Sequence, residues 1–227
     1  MNSDRIKESS HTWNSIAESF DQTRNKTWDF CLNFISTLDN TSTAADLGCG
    51  NGRHLIPLAN QCKKAIGFDI SIQLLQITAQ KIKKNQLTNV NLIQGDLCLL
   101  PFQKNALNYI LYIAALHNIK GRKNRIQSLQ QLYQALAPEG SALVSVWSRN
   151  QKRFQKKLKT TQNEKEAGDI ILYWRQHNLN IPRYYHLYDK QEFKEDIKTA
   201  GFSIQRFTEV SIVSESSADN YYAIITK

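Results

Sequence analysis

Asp46-Leu47-Gly48-Cys49-Gly50-Asn51-Gly52 sets an acid two residues ahead of three glycines at alternate positions. Glycine has no Cβ, so such a loop lets the backbone approach a ligand closely. The residues before it, 44–47, are short and apolar and suit a buried strand, and residues 53–59 read as a helix. Strand, glycine loop and helix in this order open a nucleotide-type α/β site. A dinucleotide fingerprint would need glycine at position 53, where the chain has Arg53. Two further acids, Asp69 and Asp96, follow the next two predicted strands. Taken singly, each acid reads more readily as a helix cap than as a ligand. Three acids after three successive strands read as a ligand site.

The elements that must position these groups alternate along the chain. Trp13, Ile16, Ala17 and Phe20 recur at helical spacing, which predicts an amphipathic helix over 12–21, and a second helix is expected over 28–38. Strands are expected at 44–47, 65–69, 90–94, 107–114 and 141–147. The run 107–114 is apolar enough for the centre of a parallel sheet. A helix is expected over 71–84 with Ser71 as its N-cap, and another around Ile126, Leu129, Tyr133 and Leu136. That second helix should stop at Pro138-Glu139-Gly140, a turn into the fifth strand. Residues 189–200 form the expected last helix with Gly201 after its end, and 202–213 and 221–226 a closing antiparallel pair. Residues 150–182 break the rhythm and read as an insertion on a substrate rim, and 214–220 as an exposed polar loop. The expectation is one α/β domain over 1–227, with N-terminal helices within 12–38. Its fold is Rossmann-like: a mostly parallel seven-stranded sheet, helices on both faces, and an antiparallel closing strand.

Composition bounds the function. A chain of 227 residues is long enough for a doubly wound core. No apolar stretch is long enough for a transmembrane helix, and the polar segment 1–11 does not read as a secretory signal. Cys31, Cys49, Cys62 and Cys98 form no C-x-x-C pair, which fits a reduced, cytoplasmic protein without a zinc set. The net charge of +9 favours a polyanionic partner. Six basic residues and no acid lie between Arg149 and Lys159, and Lys120, Arg122, Lys123 and Arg125 form a second cluster. Two readings stand open for both clusters: solvated helix faces, or phosphate contacts to a nucleic acid.

The 46–52 loop resembles motif I of the class I S-adenosylmethionine-dependent methyltransferases. The resemblance implies that Gly48, Gly50 and Gly52 wrap the methionine part of S-adenosylmethionine, with Asp46 accepting, directly or through water, near its ammonium group. Asp69 would hold the ribose hydroxyls. Asp96 would accept from the adenine amino group while Leu97 covers the ring. A second resemblance covers nearly the whole chain. Trp13-Asn14-Ser15-Ile16-Ala17, Phe20-Asp21-Gln22-Thr23-Arg24, Ile113-Ala114-Ala115-Leu116-His117 and Pro182-Arg183-Tyr184-Tyr185-His186-Leu187-Tyr188 are similar to segments of the eukaryotic and archaeal tRNA wobble-uridine methyltransferases. These enzymes methylate the carboxylate of 5-carboxymethyluridine, and many work with a small zinc-binding activator protein. The resemblance implies that Arg24 helps to hold the cofactor carboxylate and that His117, Arg183 and Tyr184 line the acceptor pocket. The chain departs from the family in carrying His117-Asn118 for a common His-His pair, and in its basic insertion.

A carboxylate acceptor is ionised at neutral pH, with a pKa near about 4, so no general base is required. Arg183 is the candidate for a bidentate contact that orients it. His117 as a cap at the strand end, and Tyr185 and Tyr188 as core, stand as the alternative readings of those residues. A small-molecule O- or N-methyltransferase and a cofactor-binding regulatory protein without catalysis are the alternative functions.

Overall fold

The computed structural model describes residues 2–160, 166–211 and 218–227, with the backbone alone at 2, 3, 159 and 160. Three helices lead the chain: α1 (Asn2–Ser15), α2 (Ala17–Thr23) and α3 (Asp29–Ile35). The alternating part follows as β1 (Thr43–Leu47), α4 (Leu55–Gln61), β2 (Lys64–Asp69), α5 (Ile72–Lys84), β3 (Val90–Gln94), β4 (Leu107–Ile113), α6 (Arg122–Ala135) and β5 (Leu136–Trp147). Then come α7 (Gln155–Thr160), β6 (Asp169–Trp174), β7 (Ile181–His186), α8 (Lys190–Thr199), β8 (Ser203–Val210) and β9 (Asn220–Thr226).

Seven strands form one sheet in the order β3-β2-β1-β4-β5-β9-β8. Its first five strands pair in parallel. Strand β9 pairs antiparallel with both β5 and β8, so the last strand of the chain enters between them and does not form an edge. Successive residues of a strand face opposite sides, and the burial follows. Ala45, Leu47, Ile110 and Tyr112 pack with Leu129 and Leu132 of α6 and Phe193 and Ile197 of α8. Ala44, Leu111 and Ile113 pack on the other side with α3, α4 and Leu75 of α5. Helices on both faces explain why β4 is apolar at every position except Asn108 near its start. Among the described residues no helix is long and apolar enough to cross a membrane.

Several element boundaries differ from the sequence expectation. Helix α1 begins at Asn2, well before residue 12, and the chain breaks at Ile16, whose ψ of 1° is not helical. The expected 12–21 helix is therefore split in two. Trp28 is extended (ψ 140°) and caps a shorter α3. Pro138-Glu139-Gly140 lies inside β5 and makes no separate turn. Leu107 pairs with Leu136 and Tyr109 with Ser141, so the bulge absorbs the extra residues. Gly140 is needed there, because a Cβ would stand 2.7 Å from the Asn108 carbonyl oxygen. Ser71 and Asp189 do cap their helices, accepting from Leu74 N and Gln191 N. Residues 212–217, which include most of the expected 214–220 loop and the end of the expected 202–213 strand, lie outside the described residues.

The largest correction concerns residues 150–188. The 182 boundary of the expected insertion cuts through a strand. Strands β6 and β7 form their own antiparallel hairpin, pairing Asp169 with His186 through Trp174 with Ile181. The polar-aromatic run 182–188 is thus mainly strand and only afterwards leads into α8.

Candidate active site

A cleft of about 1210 Å³ opens at the carboxyl ends of the parallel strands, the usual position for a ligand in such sheets. Strand ends form its floor, and α1, α2 and the hairpin its walls. The two walls are joined. Trp174 Nε1 donates to Ser19 Oγ at 2.7 Å, and Ser19 Oγ also contacts His177 Nδ1 at 2.7 Å.

The cofactor end shows a cradle that side chains would fill. Gly48 has φ +75°, and a Cβ there would meet the Ala115 Cβ at 2.5 Å. Asp69 Oδ2 accepts from Gly50 N at 2.8 Å and Oδ1 from Ser71 N at 2.9 Å. Each oxygen keeps a further lone pair for a hydroxyl. Burial raises the Asp69 pKa, against those backbone hydrogen bonds. Gly48, Gly50, Asp69, Asp96, Leu97 and Arg24 all line the cleft, and this set fits S-adenosylmethionine. Two expected contacts are absent from the lining. Gly52 (φ +80°) packs against Thr78, where a Cβ would stand 2.8 Å from Thr78 Cγ2. Asp46 is buried behind the loop with Oδ2 unpartnered, and burial and Asp69 push its pKa up to about 7. Asp96 is engaged from a direction the sequence did not suggest: Arg5 of α1 donates to Oδ2, and Cys98 N to Oδ1.

The part of the cleft lined by β7 is aromatic and cationic. Arg183 and Tyr185 lie on one face of β7 and Tyr184 and His186 on the other, as period two requires. The Arg183 guanidinium lies 4.7 Å from the Trp174 ring centre and 5.0 Å from that of Tyr185. Its Nη1 donates to Tyr185 Oη, and its Nε is buried without a partner. Burial lowers its pKa. Tyr185 stacks on Trp147 at 4.7 Å. His117 Nδ1 accepts the Trp147 N–H at 3.0 Å. Burial, with His186 and Arg183 nearby, pushes its pKa down to about 3, so the ring is neutral. It follows Ala114, whose φ of +53° is strained for a residue with a Cβ.

Tyr184 contributes to the cleft wall, but its hydroxyl does not serve the pocket. It donates to Asp169 Oδ1 at 2.6 Å. Asp169 belongs to a buried ionic network. His186 bonds Asp169 through Nδ1 (2.7 Å) and Glu192 through Nε2 (2.8 Å). Arg125, fully buried, pairs with Glu166 at 2.7 Å and Glu192 at 3.5 Å. Glu166, Asp169 and His186 come close enough to hold a metal ion, yet Arg125 and Glu192 close the cluster as ion pairs. The network fastens the hairpin to α6 and α8. It also corrects the basic cluster at 120–125: Arg125 is internal and Arg122 pairs with Asp196 at 2.7 Å, leaving Lys120 and Lys123. In the Arg149–Lys159 cluster Arg149 pairs with Asp189 at 3.4 Å, and the Lys159 side chain lies outside the described residues.

The sequence therefore locates Arg24, Gly48, Gly50, Asp69, Asp96, Leu97, His117, Arg183 and Tyr184 around one cleft. It misses Arg5, Trp147 and Trp174, which also line it, as does Arg153 of the 149–159 basic cluster. Trp147 and Trp174 end strands, a place where an aromatic residue carries little signal of its own.

Residues 44–140 match a family described as a methyltransferase domain. The tRNA (carboxymethyluridine(34)-5-O)-methyltransferase of Schizosaccharomyces pombe is 28% identical over 85% of this chain and 87% of its own length. The Saccharomyces cerevisiae enzyme of the same name is 31% identical over 61% of this chain and 47% of its own. The mouse enzyme of that name is much longer; the match spans 21% of it, at 30% identity. A SAM-dependent methyltransferase of Methanosarcina mazei superposes with a TM-score of 0.75, at 16% identity, over 88% of this chain and 97% of its own. A chain of the complex between the Haloferax volcanii Trm112 methyltransferase activator and a methyltransferase gives 0.73, at 13% identity, over 97% and 96%. The protein has the class I fold of the S-adenosylmethionine-dependent methyltransferases, and over most of its length it resembles the tRNA carboxymethyluridine methyltransferases.

Proposed function

We propose that the protein forms the methyl ester of 5-carboxymethyluridine at the wobble position of tRNA. The acceptor end of the cleft carries this reading. Arg183 is packed between Trp174 and Tyr185, has no carboxylate partner among the described residues, and lies in one cleft with a neutral His117. Relatives named for this reaction support it. We also assign a cytoplasmic location, which the four free cysteines favour.

Bound S-adenosylmethionine supplies a methyl group already activated by its sulfonium. Asp69 holds the ribose end, the Gly48–Gly50 loop gives close backbone approach, and Arg24 holds the carboxylate. Arg183 orients the acceptor carboxylate through its fork and leaves one oxygen lone pair for the methyl carbon. His117 has its Nδ1 occupied by a backbone donor, so its proton is on Nε2. That N–H donates to the second carboxylate oxygen and removes nothing from the acceptor. The stacked Trp147 and Tyr185 rings give the reacting groups a flat aromatic wall. Tyr184 acts as a positioning residue through Asp169.

Carboxymethyluridine-containing tRNA, incubated with methyl-labelled S-adenosylmethionine, tests the reading. The expected product is a base-labile methyl ester, formed with or without a small zinc-binding activator protein, the partner we assign by likeness to the Haloferax volcanii complex. Methyl transfer confined to small molecules would overturn the RNA assignment.

A further inference from the structure

We propose that Arg153 holds a phosphate of the RNA strand next to the acceptor uridine, at the mouth of the cleft. The inference rests on the RNA reading above and names a contact that reading leaves open.

Arg153 sits in the 3-10 turn Lys152–Phe154, just beyond β5. Its guanidinium lies 5.3 Å from the Trp147 ring centre and 4.5 Å from that of Phe154. Contacts of this kind hold a cation without neutralising it. Its Nε donates to Gln151 Oε1 at 2.8 Å. Gln151 is itself buried, and its Nε2 donates to the carbonyls of Ser148 (3.1 Å) and Asp219 (2.9 Å). Both amide protons are therefore used inside the protein, and the amide oxygen is aimed at Arg153. A buried glutamine fixes the inner edge of this guanidinium. The terminal nitrogens make no hydrogen bond among the described residues, and the acid acting on the guanidinium, Asp219, does so through space without a direct ion pair. What remains is a planar fork on the lining of the cleft, the geometry that suits a phosphate.

Depth separates Arg153 from Arg183. Arg183 lies against Tyr185, and its Nε is enclosed. Arg153 lies against Trp147, the other ring of the same stacked pair, and is exposed to solvent. An acceptor nucleotide brings its base carboxylate inward and leaves its phosphates at the surface. The cleft thus offers Arg24 for the cofactor carboxylate, Arg183 for the acceptor carboxylate and Arg153 for the backbone. The exposed Lys152 and Lys156 extend the positive charge outward from that point.

The test uses a labelled anticodon stem-loop carrying 5-carboxymethyluridine, with a native backbone or with a methylphosphonate at either phosphate flanking that uridine. Affinities are measured by fluorescence anisotropy over a range of salt. Arg153→Ala should weaken binding of the native stem-loop about tenfold and flatten the salt slope by about 0.7–1. One methylphosphonate should cost the wild type a similar factor and cost Arg153→Ala nothing further. Arg153→Lys should recover part of the loss. Cofactor affinity, measured by calorimetry, should be unchanged in both variants. Penalties that multiply for both methylphosphonates, a change under twofold, or a parallel loss of cofactor binding would overturn the assignment. Wild-type binding that ignores salt would instead overturn the RNA reading itself.

Discussion

The main-chain N–H of Trp147 donates to Nδ1 of His117 at 3.0 Å. This contact leaves the imidazole proton on Nε2, the one ring nitrogen available to a ligand in the cleft. Burial, helped by His186 and Arg183, holds the pKa at about 3. In nitrogen-proton correlation spectra His117 should stay a neutral Nε2–H tautomer from about pH 5 to 8, across the usual imidazole pKa near 6.5. His117→Gln, which can keep a donor, should lose less ester formation than His117→Ala, whose loss should be about tenfold. A titration of His117 centred near the usual value would exclude the donor role.

Asp69 ties the glycine loop to α5 through Gly50 N and Ser71 N while offering lone pairs to the cleft. Asp69→Ala should weaken S-adenosylmethionine binding by about 100-fold, since two charge-assisted contacts at about 1.5–3 kcal/mol each are at stake. Gly48→Ala should also weaken it, because the added Cβ meets Ala115 at 2.5 Å in a left-handed backbone. Calorimetry on both variants decides the matter, and unchanged affinity for Asp69→Ala would remove the cofactor assignment.

Two buried groups give stability the same dependence on pH, over different windows. Burial alone would lower the His186 pKa, but hydrogen bonds to Asp169 and Glu192 overcome it and raise the value. The folded state therefore binds the proton more tightly than the unfolded chain. That stabilisation is complete below the unfolded value of about 6.5 and is lost as pH rises through the folded one. Asp46 acts lower, because burial and Asp69 raise its carboxyl to about 7. Its contribution declines from about pH 4, the unfolded value, to about pH 7. Urea unfolding of the free protein should show stability falling across both windows. Asp46→Asn should flatten the lower window. His186→Gln should flatten the upper one and cost about 3 kcal/mol, the typical penalty for breaking a buried ion pair. A wild type equally stable at pH 6 and pH 9 would contradict the His186 account.

The parallel core was legible because its signals are local. The mainly apolar run 107–113 suits a strand covered by helices on both faces, and an acid or a glycine ends or follows β1, β2 and β3. The glycine cradle on the cleft was legible for the same reason, with Gly48, Gly50 and Asp69 all on its lining. Gly52 and Asp46 show the limit of spacing: both support the loop from behind, because Thr78 and the buried floor occupy the space a ligand would need. The hairpin was illegible because its strands are held by partners remote in sequence, Ser19 to Trp174 and Arg125 to Glu166. Arg125 looked like a surface cation in a basic cluster; only the fold shows that acids from α8 and from the segment before β6 pair with it. Arg153 carried no distinguishing mark within a basic run, and its role depends on Gln151 and Trp147.

The measurement closest to the central claim is ester formation by Arg183→Ala on a stem-loop carrying 5-carboxymethyluridine, with cofactor affinity measured on the same sample. Arg183 is the fork packed against Trp174 and Tyr185 at the acceptor end of the cleft. Removing one member of a buried charge pair costs about 2–5 kcal/mol, so kcat/KM should fall by at least about 30-fold while cofactor binding changes little. Arg183→Lys should rescue it poorly, because a point charge cannot reproduce the planar contact. Turnover near the wild-type rate by Arg183→Ala, with cofactor bound as before, would contradict the account and place the acceptor carboxylate elsewhere in the cleft.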